Sequence, residues 1–443
     1  MVKSKKIPYT QIMIFTGGIT MESFVLKGDI CYSGVKDKIY TSENSYLVCE
    51  NGLCSGVFEA LPETYSHLPL HDFSGKVIIP GLCDMHLHAP QYTFRGLGMD
   101  MGLLEWLKSN AFPEEARYES LEYAKAAYSI FVNDLKHGAT TRAAIFATIH
   151  GDASELLMDM TEESGIIAYI GKVNMDRNAP SYLCESSAES SARDTVKWVR
   201  KTLSKYKNVK PILTPRFIPS CSDELMEMLM DIQREYSLPV QSHISENEGE
   251  VAWVSELCPS CDFYAEAYDK FGLFGGDVPT IMAHCVLSQD AEIALMKERG
   301  VYAAHCPQSN TNLASGIAPV RRYIDEGLNV CLGSDIAGGS SMSIFRAMVD
   351  AVQASKLRFR MFDNTLKPIT MPEAFYLATA GGGSFFGKVG KFEKGFEFDA
   401  VIIDEKRIPS PRRFTLHERL ERIIYLSCES DIISKYVKGK KLF

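Results

Sequence analysis

The chain lacks several features that would place it in a common class of protein. It has no apolar run of the roughly 20 residues that a membrane-spanning helix needs. It has no excess of positive charge, and its formal net charge of −9 argues against general binding to nucleic acid or to an anionic membrane. The lysines near its start are not followed by the apolar segment and cleavage site of a secretory signal. We therefore expect a cytoplasmic protein with an ordinary globular core.

The chain also lacks a compact disulfide pattern. Its 12 cysteines are scattered along 443 residues, and in the cytosol they should be reduced thiols. One pair, Cys258 and Cys261, has the Cys-x-x-Cys spacing, but no second pair stands at zinc-finger distance. We therefore expect no disulfide framework and no metal or redox function at this pair.

Glycine-rich nucleotide motifs are absent too. No Gly-x-Gly-x-x-Gly follows a first strand, and no phosphate-binding loop is visible. This absence argues against a doubly wound α/β sheet, which is the main alternative to the architecture that the rest of the chain indicates.

The chain instead contains a long alternation of strand and amphipathic-helix patterns. The predicted strands are 77–88, 140–145, 166–173, 211–217, 239–243, 280–285, 301–305 and 329–332. Helical stretches between them include 154–164, 192–206, 222–236, 290–299 and 319–326. Eight strands with helical crossovers predict an α/β fold of the (β/α)8 TIM barrel type.

The two ends of the chain have a different pattern of short β-branched and aromatic runs separated by turns. Strands are predicted at 12–15, 24–26, 29–32 and 45–48, and again at 398–404 and 423–426. Such runs are typical of antiparallel sheet. We expect residues 1–78 and 386–443 to combine into one small β-sandwich domain, with the barrel of residues 79–385 inserted between them.

Two histidines end the first predicted barrel strand. Side chains alternate between the faces of a strand, so His86 and His88 point to the same side. Two imidazoles on one face can chelate a metal ion, although two unrelated packed or solvated histidines would give the same spacing. The other strand ends are needed to decide between these interpretations.

Reactive groups of such barrels lie at the C-terminal ends of the strands. Those ends carry His243, His284 and Asp335, and His305 is a further candidate to line the pocket without being a ligand. Four histidines and one aspartate suit Zn²⁺, or Fe²⁺ as a substitute. Glu246 follows the His243 strand and is placed to accept or donate protons near the metal. The sequence therefore predicts a catalytic metal centre.

This order of ligands over a barrel pattern resembles the amidohydrolase superfamily, and the resemblance covers nearly the whole chain. Within the superfamily, several segments resemble the guanine deaminase family, namely 84–92, 103–107, 214–217, 241–246 and 334–339. The metal pattern is shared widely among deaminases and chlorohydrolases. The Pro215-Arg216-Phe217 and Ala89-Pro90-Gln91 segments are more specific to guanine deaminases.

The resemblance implies hydrolysis of guanine to xanthine and ammonia by a homodimer that holds one zinc ion per subunit. The implied ligands are His86, His88, His243, His284 and Asp335. By the same resemblance, zinc-activated water would attack C2 of the purine. The catalytic residues would be Asp335, which accepts the water proton, Glu246, which protonates the ring nitrogen, and His284, which lies against the reacting centre. A single metal is expected because strand four ends in arginine, where two-metal relatives carry a carboxylated lysine.

The resemblance also implies three substrate-binding residues. Arg216 would donate to the guanine carbonyl, Gln91 would bond the ring edge, and Phe217 would pack on the base. The fork of arginine donors and an aromatic face suit these roles. Simpler alternatives are a surface ion pair for Arg216, a solvated amide for Gln91, core packing for Phe217 and a solvated carboxylate for Glu246.

Two alternative functions remain at this point. The protein could act on another purine, a pterin or a triazine as a related deaminase or chlorohydrolase, or it could be a barrel scaffold without activity. A second zinc-deaminase design uses His-x-Glu and Pro-Cys-x-x-Cys. That design does not fit, because Glu246 is three positions after His243 and Leu257 precedes Cys258.

Overall fold

A computed structural model of the protein describes residues 22–443, so the strand predicted at 12–15 lies outside the described residues. The strands are β1 (Phe24–Val35), β2 (Lys38–Glu50), β3 (Leu53–Phe58), β4 (Leu70–Pro80), β5 (Leu82–His88), β6 (Thr140–Phe146), β7 (Ile167–Gly171), β8 (Val173–Asn174), β9 (Val209–Pro211), β10 (Thr214–Pro215), β11 (Val240–Ile244), β12 (Thr280–His284), β13 (Tyr302–His305), β14 (Asn329–Leu332), β15 (Ala400–Ile403), β16 (Ile432–Val437) and β17 (Lys440–Lys441).

The helices alternate with the barrel strands and continue after them. They are α1 (Leu103–Trp106), α2 (Phe112–Ala116), α3 (Leu121–His137), α4 (Gly151–Ser164), α5 (Ala188–Thr202), α6 (Asp223–Tyr236), α7 (Glu248–Leu257), α8 (Glu266–Asp269), α9 (Asp290–Arg299), α10 (Pro307–Asn312), α11 (Val320–Glu326), α12 (Ile344–Met361), α13 (Met371–Tyr376) and α14 (Leu416–Leu426). A π-helical turn, Leu107–Ala111, joins α1 to α2. Within residues 22–443, no helix combines the length and apolarity needed to cross a membrane.

The central part of the chain forms the predicted (β/α)8 barrel. Parallel strands pair in the orders β5-β6-β7-β9 and β11-β12-β13-β14. Main-chain hydrogen bonds join these two halves at both seams. At one seam the Gln241 amide donates to the Leu213 carbonyl at 2.9 Å, and at the other the Asp335 amide donates to the His86 carbonyl at 2.8 Å. The barrel is closed, and the prediction of this fold class is confirmed.

Three of the predicted barrel strands are interrupted. The segments predicted as 166–173 and 211–217 each contain two short strands, β7 with β8 and β9 with β10. The strand predicted at 77–88 is divided at Gly81, so its apolar beginning belongs to β4 in another sheet. A side chain at Gly81 would place its Cβ only 2.1 Å from the hydroxyl oxygen of Thr141. Glycine is therefore needed where the chain passes into the barrel.

Strands from both ends of the chain pair in one seven-stranded sheet of order β17-β16-β15-β4-β1-β2-β3. Alternate residues of its strands face two different cores. Ile78 and Ile402 pack in a small core rich in aromatic residues, whereas Val77 and Ile79 pack in the main core with the barrel. Both faces of the sheet are thus buried. The treatment of residues 1–78 and 386–443 as a separate domain remains a proposal.

The strand predicted at 423–426 is wrong, because this segment is the end of helix α14. Thr415 and Glu418 form a reciprocal capping box that starts the helix. The buried residues then recur at helical spacing: Leu416, Leu420, Ile423 and Ile424. The short apolar run at 423–426 is one part of this helical stripe.

A buried ion pair connects the barrel to the composite sheet. The Arg142 guanidinium on β6 donates to both carboxylate oxygens of Asp399, at 2.6 and 2.9 Å, and to Glu397 at 2.8 Å. Arg142 and Asp399 are each 2% exposed. Such a two-pronged pair fixes orientation as well as charge. Loss of one partner would leave a buried charge unbalanced.

We predict that Arg142→Met lowers the free energy of unfolding by about 3–5 kcal/mol, because the Asp399 carboxylate is left without its partner. Arg412→Met is the matched control, since Arg412 pairs with Glu418 at an exposed position, and it should cost about 0–1 kcal/mol. Denaturant unfolding of both variants measures the difference. Equal small losses would show that the Arg142 pair does not hold the two parts together.

Candidate metal centre and active site

The five predicted ligands lie together at the C-terminal mouth of the barrel. Nε2 of His88 is 3.2 Å from Nε2 of His243, and Nε2 of His86 is 3.2 Å from Oδ1 of Asp335. Nε2 of His284 lies 3.9 Å from Oδ2 of Asp335. Two nitrogens bound about 2.1 Å from one ion, at ligand angles of about 90–110°, would be about 3.0–3.4 Å apart. The spacing therefore fits a single metal ion.

The state of the histidines also fits a metal. The buried Nε2 atom of His86 faces the Asp335 carboxylate without meeting hydrogen-bond geometry. Burial lowers the pKa of His88 and His243 well below the usual range of histidine. These two imidazoles are therefore held neutral, which is the form that coordinates metal. A buried nitrogen that faces a carboxylate beside two neutral imidazoles fits a metal-binding cluster.

Outer hydrogen bonds orient two of these rings. Nδ1 of His243 is 2.6 Å from the Arg216 carbonyl oxygen, and Nδ1 of His284 is 2.9 Å from Oδ1 of Asn310. Because both partners are acceptors, each Nδ1–H donates. The Nε2 atom of each ring then faces the centre, as in many metal sites.

The backbone is strained at two of the ligand positions. His284 has a φ of 75° and Asp335 has a φ of 45°, both in the left-handed region that residues other than glycine rarely adopt. Such strain persists only where surrounding contacts hold it. Here the Asp335 amide is held by the His86 carbonyl. The strain places both side chains toward the same point.

Glu246 lies beside the ligand cluster and is 4% exposed, so it is not a solvated carboxylate. Its Oε2 is 3.4 Å from Nε2 of His284, and Ser315 donates a hydrogen bond to its Oε1 at 3.2 Å. Burial, and then the charge of Asp335, raise the pKa of Glu246 to about 8. For Asp335, burial is opposed by the neighbouring His86 and His284, which hold its pKa at about 2. One carboxyl group can thus carry a proton while the other stays ionised.

A cavity opens onto this cluster. Three apolar residues from the α1 region form part of its wall: Leu103, Trp106 and Leu107. Phe217 also lines the cavity, and its ring meets the Trp253 ring edge-on with centroids 6.3 Å apart. The cavity therefore offers apolar walls suited to a flat ring.

The polar part of the wall is organised by a residue that the sequence prediction missed. Arg216 donates to both oxygens of Glu115, at 2.6 and 3.0 Å, and the Gln91 amide nitrogen donates to Glu115 at 2.7 Å. Arg216, Gln91 and Glu115 are 3%, 2% and 2% exposed, which excludes a surface ion pair and a solvated amide. Glu115 stands beside another glutamate in a helical segment far from Arg216, so no sequence signal distinguished it.

Three further groups that could carry chemistry lie outside this site. His305 is buried, but it is not among the residues that line the cavity or the grouped ligands. Lys172 is buried and pairs with Glu185 at 2.6 Å, which gives it a structural role. The Cys258 and Cys261 pair also lies away from the cavity wall.

The chain belongs to the amidohydrolase family, whose family model matches residues 77–442. Among curated proteins, the guanine deaminases of Dictyostelium discoideum and Homo sapiens are both 40% identical to it, over 380 and 385 residues. Each alignment covers 84% of this chain and 83% of the relative. A solved structure of guanine deaminase from C. acetobutylicum, with guanine bound in its active site, shares 46% identity at a TM-score of 0.93 and covers 95% of this chain and 100% of its own.

We predict that His88→Ala weakens metal binding at least about 100-fold, because loss of a direct ligand should exceed the 10- to 100-fold cost of losing an outer-shell partner. Elemental analysis of purified protein, before and after dialysis against a chelator, measures the bound ion. His305→Ala is the matched control, since it removes a buried histidine from the same end of the barrel. Equal metal loss in both variants would contradict the ligand assignment.

Proposed function

We propose that this protein hydrolyses guanine to xanthine and ammonia at the barrel mouth, with one zinc ion held by the five clustered ligands. The observation that carries the proposal is the Arg216–Glu115–Gln91 arrangement beside the metal-ligating cluster, because it puts fixed donors next to a hydrolytic centre. The relatives that match most of the chain are guanine deaminases, which supports the same substrate. The homodimer and the cytoplasmic location remain predictions.

The donor set supports zinc. Three imidazoles come within ligand distance of one another, and His86 and His284 group with Asp335. Nitrogen donors with one carboxylate suit Zn²⁺ at a hydrolytic centre, and Fe²⁺ is the alternative. When bound, such an ion lowers the pKa of a coordinated water to about 7 and so supplies a nucleophile at neutral pH.

The cavity residues would hold the base with its C2 atom toward the ligands. Arg216 donates to the purine carbonyl, Gln91 bonds the ring edge, and Phe217 packs against the ring face. All three line the cavity. An arginine fork and an aromatic wall together orient a flat base that carries a carbonyl. Orientation of this kind accounts for a large share of the barrier reduction in two-reactant chemistry.

The acidic residues would move the protons. Oδ2 of Asp335, kept ionised by its histidine neighbours, accepts a proton from the attacking water. The Glu246 carboxyl protonates the ring nitrogen beside C2 and afterwards helps to deliver a proton to the departing amine. His284, 3.4 Å from Glu246, contacts the reacting centre. Water is consumed, the C2–N bond breaks, and ammonia leaves as the carbonyl of xanthine forms.

Turnover of a substrate panel tests this proposal against the alternative heterocycles. Purified protein loaded with zinc should release ammonia from guanine and form one xanthine for each ammonia. Its kcat/KM for guanine should exceed that for adenine, a pterin and a chlorinated triazine. No xanthine formation, together with turnover of another heterocycle, would overturn the proposed substrate. No turnover of any compound by protein that retains zinc would favour a scaffold without activity.

We predict that Glu246→Gln keeps the bound metal but lowers kcat by about 100-fold or more, because an amide cannot carry the proton. Glu248→Gln is the matched control, since Glu248 is exposed only two residues away. It should leave kcat within about twofold. Steady-state kinetics and elemental analysis measure both properties. Unchanged kcat in Glu246→Gln would remove the proton-transfer role.

A further inference from the structure

Glu115 is a buried charged residue to which the proposed reaction assigns no step. It lies on α2, and its two carboxylate oxygens receive three hydrogen bonds, two from Arg216 and one from Gln91. Phe112, three residues earlier on the same helix, lies under the guanidinium with its ring centroid 5.1 Å from the central carbon. One helix therefore both pairs with Arg216 and covers one side of it.

These contacts restrict which donors the cavity presents. Two of the five N–H groups of Arg216 are used by Glu115, so three remain. The Gln91 amide donates one N–H to Glu115 and accepts from the Ala337 backbone N–H at 3.2 Å, which fixes which end of the amide is a donor. Neither side chain can rotate without losing a buried hydrogen bond. The donors are thus oriented before a ligand binds.

The positive charge of Arg216 is also balanced by the Glu115 carboxylate that it contacts. Both members of the pair are almost fully buried, so little solvent screens them. Burial raises the pKa of Tyr118 and Tyr128, and the negative charge of Glu115 raises it further. Both phenols therefore stay neutral. Burial lowers the pKa of nearby His150, so this ring adds no charge. A ligand in the cavity therefore meets oriented donors that carry little net charge.

We propose that Glu115 is a specificity-determining positioning residue that acts through Arg216 and Gln91, so that the cavity favours a neutral purine carbonyl over an anionic heterocycle. This inference rests on the proposed function. It has a consequence for product release, because xanthine carries a carbonyl where guanine carries an amine and loses a ring proton more readily. An unbalanced guanidinium would retain that anion, whereas the balanced one releases it.

Glu115→Gln tests the proposal through two kinetic constants, measured at mildly alkaline pH with zinc-loaded protein. The KM for guanine should rise by at least about tenfold, because charge-assisted hydrogen bonds that orient the donors are lost. The inhibition constant Ki of xanthine should rise much less or fall, because Arg216 becomes unbalanced. The ratio of KM to Ki should therefore increase at least about threefold. An unchanged KM or an unchanged ratio would overturn the proposal.

The neighbouring glutamate provides the matched control. Glu114 lies on the same helix but bonds Thr93 and Tyr123 instead of Arg216. Glu114→Gln removes the same charge one residue away and should leave the ratio of KM to Ki within about twofold of the unmodified protein. A change in the ratio as large as that of Glu115→Gln would show a general effect of charge and contradict the specific role. Wild-type turnover of guanine reports separately on the proposed function.

Two further variants cover the case in which Glu115→Gln fails to fold. Glu115→Asp keeps the charge but shortens the side chain, so KM should rise while the ratio of KM to Ki stays within about twofold of wild type. The double variant Glu115→Gln with Arg216→Gln leaves no unbalanced charge. The two losses in kcat/KM for guanine should be less than multiplicative in this variant, because Glu115 acts in part through Arg216. Losses that multiply fully would contradict that route.

Discussion

The site depends on the seam at which the last barrel strand meets the first. Across this seam the Asp335 amide donates to the His86 carbonyl at 2.8 Å and the His88 amide donates to the Ile336 carbonyl at 2.9 Å. These main-chain bonds both close the barrel and bring predicted ligands together. Buried Asp84 reinforces it by accepting from the Ser334 amide at 2.9 Å and the Ser334 hydroxyl at 2.5 Å. Without this closure the histidine pair of the first strand would have no carboxylate opposite it.

Burial, together with the immediate neighbours, then determines the protonation state of each ionisable group at the barrel mouth. Desolvation keeps His88 and His243 neutral for a metal and raises the pKa of Glu246 to about 8. Asp335 stays ionised among the histidines, and Arg216 is balanced by Glu115. The same low-dielectric surroundings therefore produce a proton donor, a proton acceptor and a recognition group of little net charge. These roles differ because the immediate neighbours differ.

The barrel and the grouping of histidines with Asp335 at its mouth could be predicted from the sequence because both follow from local patterns. The ends of strands can be recognised from the sequence pattern, and the reactive positions of a barrel lie at those ends. Glu115 could not be predicted, because its importance comes from a contact with Arg216 across 101 positions of the chain. No helix is predicted at 416–426 and its last residues are predicted as a strand, because a short apolar run fits a strand and a helix equally well. The break at Gly81 depends on a close approach to Thr141 that no local pattern records.

A crystal structure of the zinc-loaded protein with xanthine, measured at the zinc absorption edge, tests the central account most directly. We expect one anomalous peak about 2.0–2.1 Å from Nε2 of the coordinating histidines. The base should lie with C2 nearest that peak and a carbonyl oxygen within hydrogen-bond distance of Arg216. A peak away from His86, His88 and His243, or a base turned with its carbonyl away from Arg216, would contradict the account.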